Sequence, residues 1–242
     1  MDFPRLLTEH GAASLDKQYC LADMIGKSGW QLDISEGKIT FGGRQTFPVQ
    51  ILGSEAEAAG TWLWSWANDG INPPTSALQA ATQLREYGEK NGVREFTEPE
   101  LSLDQVGGHP LSMIASGVCK ADAYYRGPYD GGAVFLLLSA PPVKKYADDS
   151  PLRFIRIVND FILEFPCDPK QSLLAYAKYK NYPVIKDGDA LVTALPQGAQ
   201  VRAAFDEQGR LAGMTSTLTQ ENAGVSAAKK PWWKLGRETT GS

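Results

Sequence analysis

Three tryptophans at every second position are the residues of this chain best suited, by type and spacing, to bind a ligand. Trp62, Trp64 and Trp66 lie within residues 61–68. Successive side chains of a β-strand point to opposite faces of the sheet, so a strand here would place all three indoles on one face. That face could stack against sugar or nucleobase rings, or it could be buried under helices as the centre of a core. Polar side chains on the opposite face favour the buried interpretation.

A second group of aromatic and polar residues occupies positions 124–130. Tyr125 and Arg126 could line a small-molecule pocket with Asp33 or Glu89, where the Arg126 guanidinium would bind an anion. The alternative is a strand followed by a Gly-Pro turn, with the arginine paired to an acid for structural reasons. Asn68 also has two interpretations. It could place a polar group at the end of a strand, where binding sites often form, or it could stabilise a turn, because Asn side chains bond to their own backbone. The candidate ligand- or partner-binding residues of this part of the chain are therefore Asp33, Trp66, Asn68, Tyr125 and Arg126.

The C-terminal residues contain a further pair of aromatic side chains, Trp232 and Trp233, between the lysines of residues 229–234. Tryptophan next to lysine is typical of segments that lie at a membrane surface, but this one is too short to bind a membrane stably by itself. We predict a flexible tail over residues 219–242. Its two tryptophans are candidates for contact with a protein partner or for weak contact with a membrane surface.

Residues suited to catalysis or metal binding are few. The chain has two histidines, His10 and His109, and neither has the spacing of a metal ligand. Cys119 lies on an apolar stretch, which predicts a buried, inert thiol rather than a pair with His109. Nucleophile-elbow, phosphate-loop and zinc-protease motifs are missing from the sequence. We therefore predict no catalytic residue, no metal site and no cofactor, and we leave open whether the protein is an enzyme.

The composition is that of a soluble globular protein, with 43% hydrophobic and 21% charged residues. A net charge of −4 argues against a nucleic-acid partner. No apolar run approaches the ~20 residues that a membrane-spanning helix needs, and the first residues lack the features of a secretory signal. Three widely spaced cysteines fit a reducing compartment. These features predict a cytoplasmic protein.

Hydrophobic periodicity predicts how the first 142 residues fold. A helix over residues 5–26 is followed by four antiparallel strands at 30–34, 38–41, 46–53 and 60–67. A helix capped by Thr75 or Ser76 and ended by Gly92 comes next. The predicted elements after it are an extended piece at 94–97, a helix at 103–119 and strands at 123–126 and 132–138. The last strand is apolar throughout and is expected at the centre of the sheet.

The prolines and charged residues that follow Pro141 indicate a boundary. Ser150-Pro151 and Asp168-Pro169 each combine an N-cap residue with a proline at the first helical position. Four strands at 183–186, 189–194, 199–205 and 210–218 follow these two helices. The predicted fold class is therefore α+β, an antiparallel sheet packed by helices and followed by a smaller ααββββ lobe. The predicted domains are 1–142 and 150–218.

Residues 30–140 resemble a bacterial family of unknown function. The resemblance rests on a W-x-x-D motif (Trp30, Asp33), a G-x-[IL]-x-F motif (Gly37, Ile39, Phe41) and the T-W-L-W-x-W-A-N string of residues 61–68. It implies a mixed α/β bacterial domain. It transfers no reaction, ligand or catalytic residue.

The expected function is that of a non-catalytic bacterial protein-binding module, such as an immunity or accessory protein to a toxin. An acidic chain is suited to a basic partner because their potentials are complementary. The alternative is a small-ligand binder or an enzyme. Its pocket would lie between residues 124–130 and the row formed by Trp62, Trp64 and Trp66, which we call the tryptophan row.

Overall fold

A long N-terminal helix, α1 (Phe3–Ile25), begins the part of the chain described by the computed structural model, residues 2–217. Asp2 caps it by accepting a hydrogen bond from the Arg5 backbone N–H at 3.0 Å. The helix ends at Gly26, where φ is +57°, a conformation that glycine adopts without strain. Fifteen of its 23 residues are buried, more than one apolar stripe provides. The predicted helix is confirmed, and it is packed on several sides.

Seven antiparallel strands form the first sheet, and β1 to β5 are neighbours in chain order. β7 pairs with both β3 and β6. The predicted four-stranded meander is confirmed, and the short strand β5 is an addition to it. The strands are β1 (Trp30–Asp33), β2 (Lys38–Phe41), β3 (Gln45–Ala56), β4 (Thr61–Trp64), β5 (Glu100–Ser102), β6 (Ala123–Tyr129) and β7 (Gly132–Leu138).

The strand predicted over residues 60–67 does not include all three tryptophans, so the prediction was wrong at the C-terminal end of the strand. β4 stops at Trp64, and Ser65–Ala67 form a 3₁₀ turn that carries Trp66. The turn is held because the Ser65 hydroxyl donates a hydrogen bond to the Ile51 carbonyl at 2.6 Å. Period-two spacing therefore places only Trp62 and Trp64 on the same face of the strand.

The first sheet is covered on both faces. In β7, Phe135 and Leu137 belong to one hydrophobic cluster, whereas Leu136 and Leu138 belong to another. Adjacent residues of a strand point to opposite faces, so the two clusters lie on the two sides of the sheet. The expectation that this apolar strand is central is confirmed.

Three helices follow β4: α2 (Gln79–Asn91), α3 (Arg94–Thr97) and α4 (Gly108–Val118). Gly92 ends α2 with φ at +68°, as predicted. The predicted cap was wrong, because Thr75–Ala77 form a separate 3₁₀ turn. The Gln50 side chain of β3 accepts the Ala80 N–H instead, at 3.0 Å. The predicted extended piece at 94–97 was also wrong: it is helical and places Phe96 in the core.

Residues 150–217 contain two helices and a four-stranded antiparallel sheet, in agreement with the predicted ααββββ order. Ser150 and Asp168 cap the two helices, accepting hydrogen bonds from backbone N–H groups at 3.2 and 3.0 Å. The elements are α5 (Pro151–Glu164), α6 (Pro169–Lys180), β8 (Val184–Asp187), β9 (Ala190–Ala194), β10 (Gln200–Phe205) and β11 (Leu211–Thr217). The strands are neighbours in chain order.

Helix α1 connects the two parts of the chain. One hydrophobic cluster includes Leu6 of α1, Trp62 of the first sheet, Phe154 of α5 and Val201 of the second sheet. The packed interior therefore continues across the predicted boundary at residues 142–150. The division into domains stays a prediction, and the predicted tail at 219–242 lies outside the described residues.

We expect that Gly11→Ala destabilises the protein. A methyl group at Gly11 would lie 2.1 Å from two ring carbons of Phe161, which is fully buried. Alanine favours a helix interior by ~1 kcal/mol over glycine, but overpacking a closed contact costs about 1–3 kcal/mol or more. A net loss in the free energy of unfolding should appear in urea denaturation. Gly29→Ala is the control because it meets no atom within 4 Å, and an equal effect of the two changes would contradict the α1–α5 contact.

Candidate functional site

A groove of about 1300 Å³ lies along α1, and we call it the α1 groove. One wall comes from α6 and the residues just before it, and the other from residues 117–122 and 143–147. Arg5, Glu9, Ala13 and Lys17 follow one another at four-residue intervals, a spacing that places them in a row on one helix face. The groove is thus built jointly by the N-terminal and C-terminal parts of the chain.

The groove is open because many of the side chains that line it are small. Ala13, Ala121, Ala147 and Ala175 line it, together with Gly117. A Cβ atom at Gly117 would lie 2.4 Å from the His10 ring, so the imidazole packs directly against this glycine. Burial lowers the pKa of His10, which favours the neutral ring at neutral pH.

A buried ion pair at the groove joins α1 to α5. Arg153 Nε donates to Asp16 Oδ1 at 2.8 Å, and its Nη2 donates to the Asp16 carbonyl at 3.2 Å. The side chains of Arg153 and Asp16 are 8% and 5% exposed, so water hardly screens them. Arg153 also lies over the Tyr19 ring, 4.8 Å from its centroid. Nearby Asp16 raises the pKa of Arg153 against the lowering effect of burial, so this side chain stays charged.

Helix α6 joins the same network through Lys180. Its Nζ lies 3.7 Å from Asp16 Oδ2 and 2.5 Å from Asp149 Oδ1. The Tyr182 hydroxyl donates to the same Asp149 oxygen at 2.7 Å. Burial and the nearby carboxylates raise the pKa of Tyr182, which keeps the phenol protonated as a donor. These bonds hold the wall formed by α6 against α1.

Lys17 lies on the other side of the groove, where its ammonium is bound by carbonyl groups. It donates to the carbonyl of Ser116, in the last turn of α4, and to the carbonyl of Ala121, beyond the end of that helix, at 3.3 and 2.8 Å. Its Nζ lies 5.6 Å from the Tyr179 ring centroid. Burial lowers the pKa of Lys17 to about 8, with Asp122 opposing this effect and Lys144 adding to it.

The stability contribution of Lys17 should therefore depend on pH. Between about pH 8 and pH 10.5 the unfolded chain keeps this proton and the folded protein loses it, so stability rises with pH. We expect the difference in free energy of unfolding between the natural protein and Lys17→Met to increase over this window, by at most ~1.4 kcal/mol per pH unit. Urea denaturation from about pH 7 to about pH 10 measures it. A difference that stays constant over this range would contradict the lowered pKa.

The cysteines show no sign of nucleophilic activation. Burial raises the pKa of Cys119 to about 11 and, as the largest of several causes, that of Cys20 to about 11. His109 Nδ1 lies 3.0 Å from the Tyr124 hydroxyl, whereas the Cys119 sulfur faces the Ala80 carbonyl at 4.0 Å. The structure therefore does not bring Cys119 and His109 together as a catalytic pair, and the thiols stay protonated at neutral pH.

Two of the predicted site residues form local turns. Asp33 is exposed, and its Oδ1 accepts from the Ser35 hydroxyl at 2.7 Å and the Glu36 N–H at 2.9 Å. These bonds lower its pKa. Asn68 Oδ1 accepts from the Gly70 N–H at 3.0 Å. Both side chains thus have the turn-stabilising geometry that the sequence left as an alternative.

Two other predicted residues, Tyr125 and Trp66, pack against different neighbours. Tyr125 is buried against Trp30 and Phe41, with ring centroids 5.9 and 5.0 Å apart. Burial raises its pKa to about 12. The indole of Trp66 is half-buried, with the Arg85 guanidinium 4.5 Å from its centroid. Of the predicted site residues within 2–217, which are Asp33, Trp66, Asn68, Tyr125 and Arg126, none lines the α1 groove.

Arg126 is paired with two carboxylates. Its guanidinium lies 3.7 Å from Glu55 and 3.8 Å from Glu57. Glu55 also accepts the Gly108 N–H at 2.7 Å, at the first turn of α4. The arginine therefore neutralises a glutamate that caps a helix. This agrees with the alternative in which Arg126 is paired to an acid for structural reasons.

The face of the tryptophan row is buried. Trp62 and Trp64 have no exposed surface, and their ring centroids are 5.3 Å apart. Phe135 lies 5.3 Å from Trp62, and Phe96 lies 6.1 Å from Trp64. Trp64 Nε1 donates to the Glu95 carbonyl at 3.0 Å. The buried interpretation is confirmed for these two indoles, which organise the core.

Other predictions concern metals, membranes and the tail. Within residues 2–217, no three His, Cys, Asp or Glu side chains are grouped so that they could hold a metal ion. The helices of the same region are too short or too polar to span a membrane. Trp232 and Trp233 lie outside the described residues.

Sequence reasoning missed the α1 groove. The available signal was the presence of Asp16 and Lys17 in the middle of a helix that is otherwise mostly apolar or small. A buried carboxylate needs a cationic partner, but the partners lie in distant segments that one sequence does not identify.

A comparison with known families bears on the N-terminal part of this architecture. Residues 4–141, more than half of the chain, match the family of unknown function DUF6882. The chain belongs to that family. The match begins before the predicted residue 30 and so includes α1, whereas α5 and α6 lie beyond it. The resemblance to a family of unknown function is confirmed, while the individual motifs and the bacterial origin stay predictions.

Further comparisons add no relative. No curated protein and no solved structure matches the chain.

Proposed function

We propose that the protein is a non-catalytic binding module whose partner is another protein, such as a toxin for which it serves as an immunity or accessory protein. The observation that carries this proposal is the α1 groove. Its volume of about 1300 Å³ exceeds the ~300–1,000 Å³ of ordinary small-molecule pockets. A groove along a helix suits a segment of polypeptide.

The construction of the groove supports the same proposal. Helix α1 and residues 117–122 of one wall belong to the family match, whereas residues 143–147 and the wall formed by α6 lie beyond it. Because both parts of the chain form the binding surface, sequence changes in the C-terminal part can alter which partner binds without altering the family fold. The ion pairs of Asp16 and Lys180 fix this wall in the unbound protein, which reduces the entropy lost on binding.

The alternative of a small-ligand site near the tryptophan row is less well supported. Trp62 and Trp64 are fully buried, and Arg126 is engaged by Glu55 and Glu57. These groups would have to break structural contacts in order to bind a ligand.

The proposal is tested with the purified products of neighbouring genes, by calorimetry with the full chain. We expect one of them to form a complex. Ala175→Trp, which fills the groove, should weaken that complex at least about tenfold. Ala204→Trp is the control because Ala204 is exposed on β10 and does not line the groove.

Two results would overturn the proposal. The first is the lack of a complex with any neighbouring product. The second is a complex that both tryptophan variants bind as tightly as the natural protein. Thermal unfolding of both variants verifies that they are folded.

A further inference from the structure

The charge of the α1 groove is opposite in sign to that of the whole chain. Among residues 2–217, six basic and four acidic side chains line it, although the chain has a net charge of −4. The basic residues are Arg5, Lys17, Lys120, Lys144, Lys178 and Lys180.

Three of the four acids already have structural partners. Asp16 is bound by Arg153 and Lys180. Asp122 pairs with Lys144 at 3.2 Å and accepts the Ala140 N–H at 2.9 Å. Asp168 accepts the Gln171 N–H at the start of α6.

Several cations remain available to a ligand. Arg5, Lys120 and Lys178 are exposed, and within residues 2–217 they form no ion pair. The Lys17 ammonium is bound by the carbonyls of Ser116 and Ala121, which do not neutralise its charge. These four residues come from α1, from the segment after α4 and from α6, so they surround the groove.

We infer that the α1 groove receives an extended acidic segment of the partner polypeptide, whose carboxylates pair with Arg5, Lys120 and Lys178 and are attracted by the charge of Lys17. This inference rests on the proposed function and specifies the chemistry of the partner. From Pro4 to Cys20 the groove follows about 24 Å of helix, the length of roughly seven extended residues. An acidic segment of that length places carboxylates opposite all three groups of cations.

The arrangement favours a polypeptide over a nucleic acid. Neutralising a phosphate backbone takes a run of cations, about six to ten for a typical site. The groove offers fewer cations than that, and Glu9 lies one helical turn from Arg5 on the same face of α1, so a continuous row of phosphates would not be neutralised. A polypeptide places its charges only at selected side chains.

The test uses a fluorescein-labelled oligoglutamate of about ten residues, with fluorescence anisotropy at low and physiological ionic strength. We expect binding that weakens with salt. Lys120→Glu with Lys178→Glu should weaken it about tenfold or more. Lys27→Glu with Lys90→Glu is the matched control, because both lysines are exposed and outside the groove and the change in net charge is identical.

The inference is overturned if oligoglutamate does not bind, or if the two double variants weaken its binding equally. It is also overturned if an oligolysine probe binds more tightly than oligoglutamate. Tighter binding of a single-stranded oligonucleotide, abolished by the Lys120 and Lys178 changes, would likewise overturn it. Circular dichroism establishes that both double variants are folded. If the inference fails while Ala175→Trp still weakens the complex with a neighbouring product, the proposed function stands and only the acidic character of the partner segment is wrong.

Discussion

Arg153→Met should lower the free energy of unfolding by about 3–5 kcal/mol, because it removes the main partner of a buried carboxylate. Asp16 is 5% exposed, so water cannot replace the two hydrogen bonds that the guanidinium donates to this residue. Lys180, at 3.7 Å, compensates only in part. Urea denaturation measures the loss.

The double variant Asp16→Leu with Arg153→Met tests whether this cost comes from the unpaired charge. We expect the double variant to be more stable than Arg153→Met alone, since an apolar replacement of a buried pair is often neutral. Arg94→Met is the control, because its ion pair with Glu98 is largely exposed and should contribute less than ~1 kcal/mol. A loss from Arg153→Met no larger than that of the control would show that the buried pair does not hold α1 and α5 together.

Trp62→Ala should be equally damaging, with an expected loss of about 3–5 kcal/mol. The indole is fully buried and packs against Trp64 and Phe135. Its removal leaves a cavity that the sheet cannot close, because β4 is held between β3 and β5. Trp62→Phe should cost less, since it keeps a ring and removes an indole N–H that has no partner within the described residues.

Trp66→Ala is the matched comparison. This indole is half-buried on a 3₁₀ turn, so its loss should cost less than half as much in urea denaturation. If Trp66→Ala were as damaging as Trp62→Ala, the core would depend on the turn rather than on the strand. The same pair of variants would then contradict the assignment of the core to Trp62.

The predictions that succeeded rest on local physical chemistry. Ser150-Pro151 and Asp168-Pro169 start helices because a side-chain acceptor satisfies a free N–H and proline has none to satisfy. Gly92 ends α2 because its positive φ strains other residues. β7 was predicted to be central because an unbroken apolar run needs cover on both faces.

The predictions that failed concern places where tertiary contacts override a local pattern. The spacing of the three tryptophans favours a strand through residue 67, but the Ser65–Ile51 hydrogen bond turns the chain after Trp64. Residues 94–97 carry no strong helical signal, yet burial of Phe96 against Trp64 and Tyr87 stabilises one helical turn. In each case the decisive partner lies at least nine residues away.

The sequence by itself determined the α+β class, most helices and strands, and the resemblance to a family of unknown function, because capping and periodicity act within a few residues. Only the tertiary structure decided which indoles are buried together and where the groove lies. Asp16 and Arg153 are 137 residues apart in the chain, and their pairing follows from the packing of α1 against α5. The α1 groove exists because that packing joins two distant parts of the chain, which no local pattern specifies.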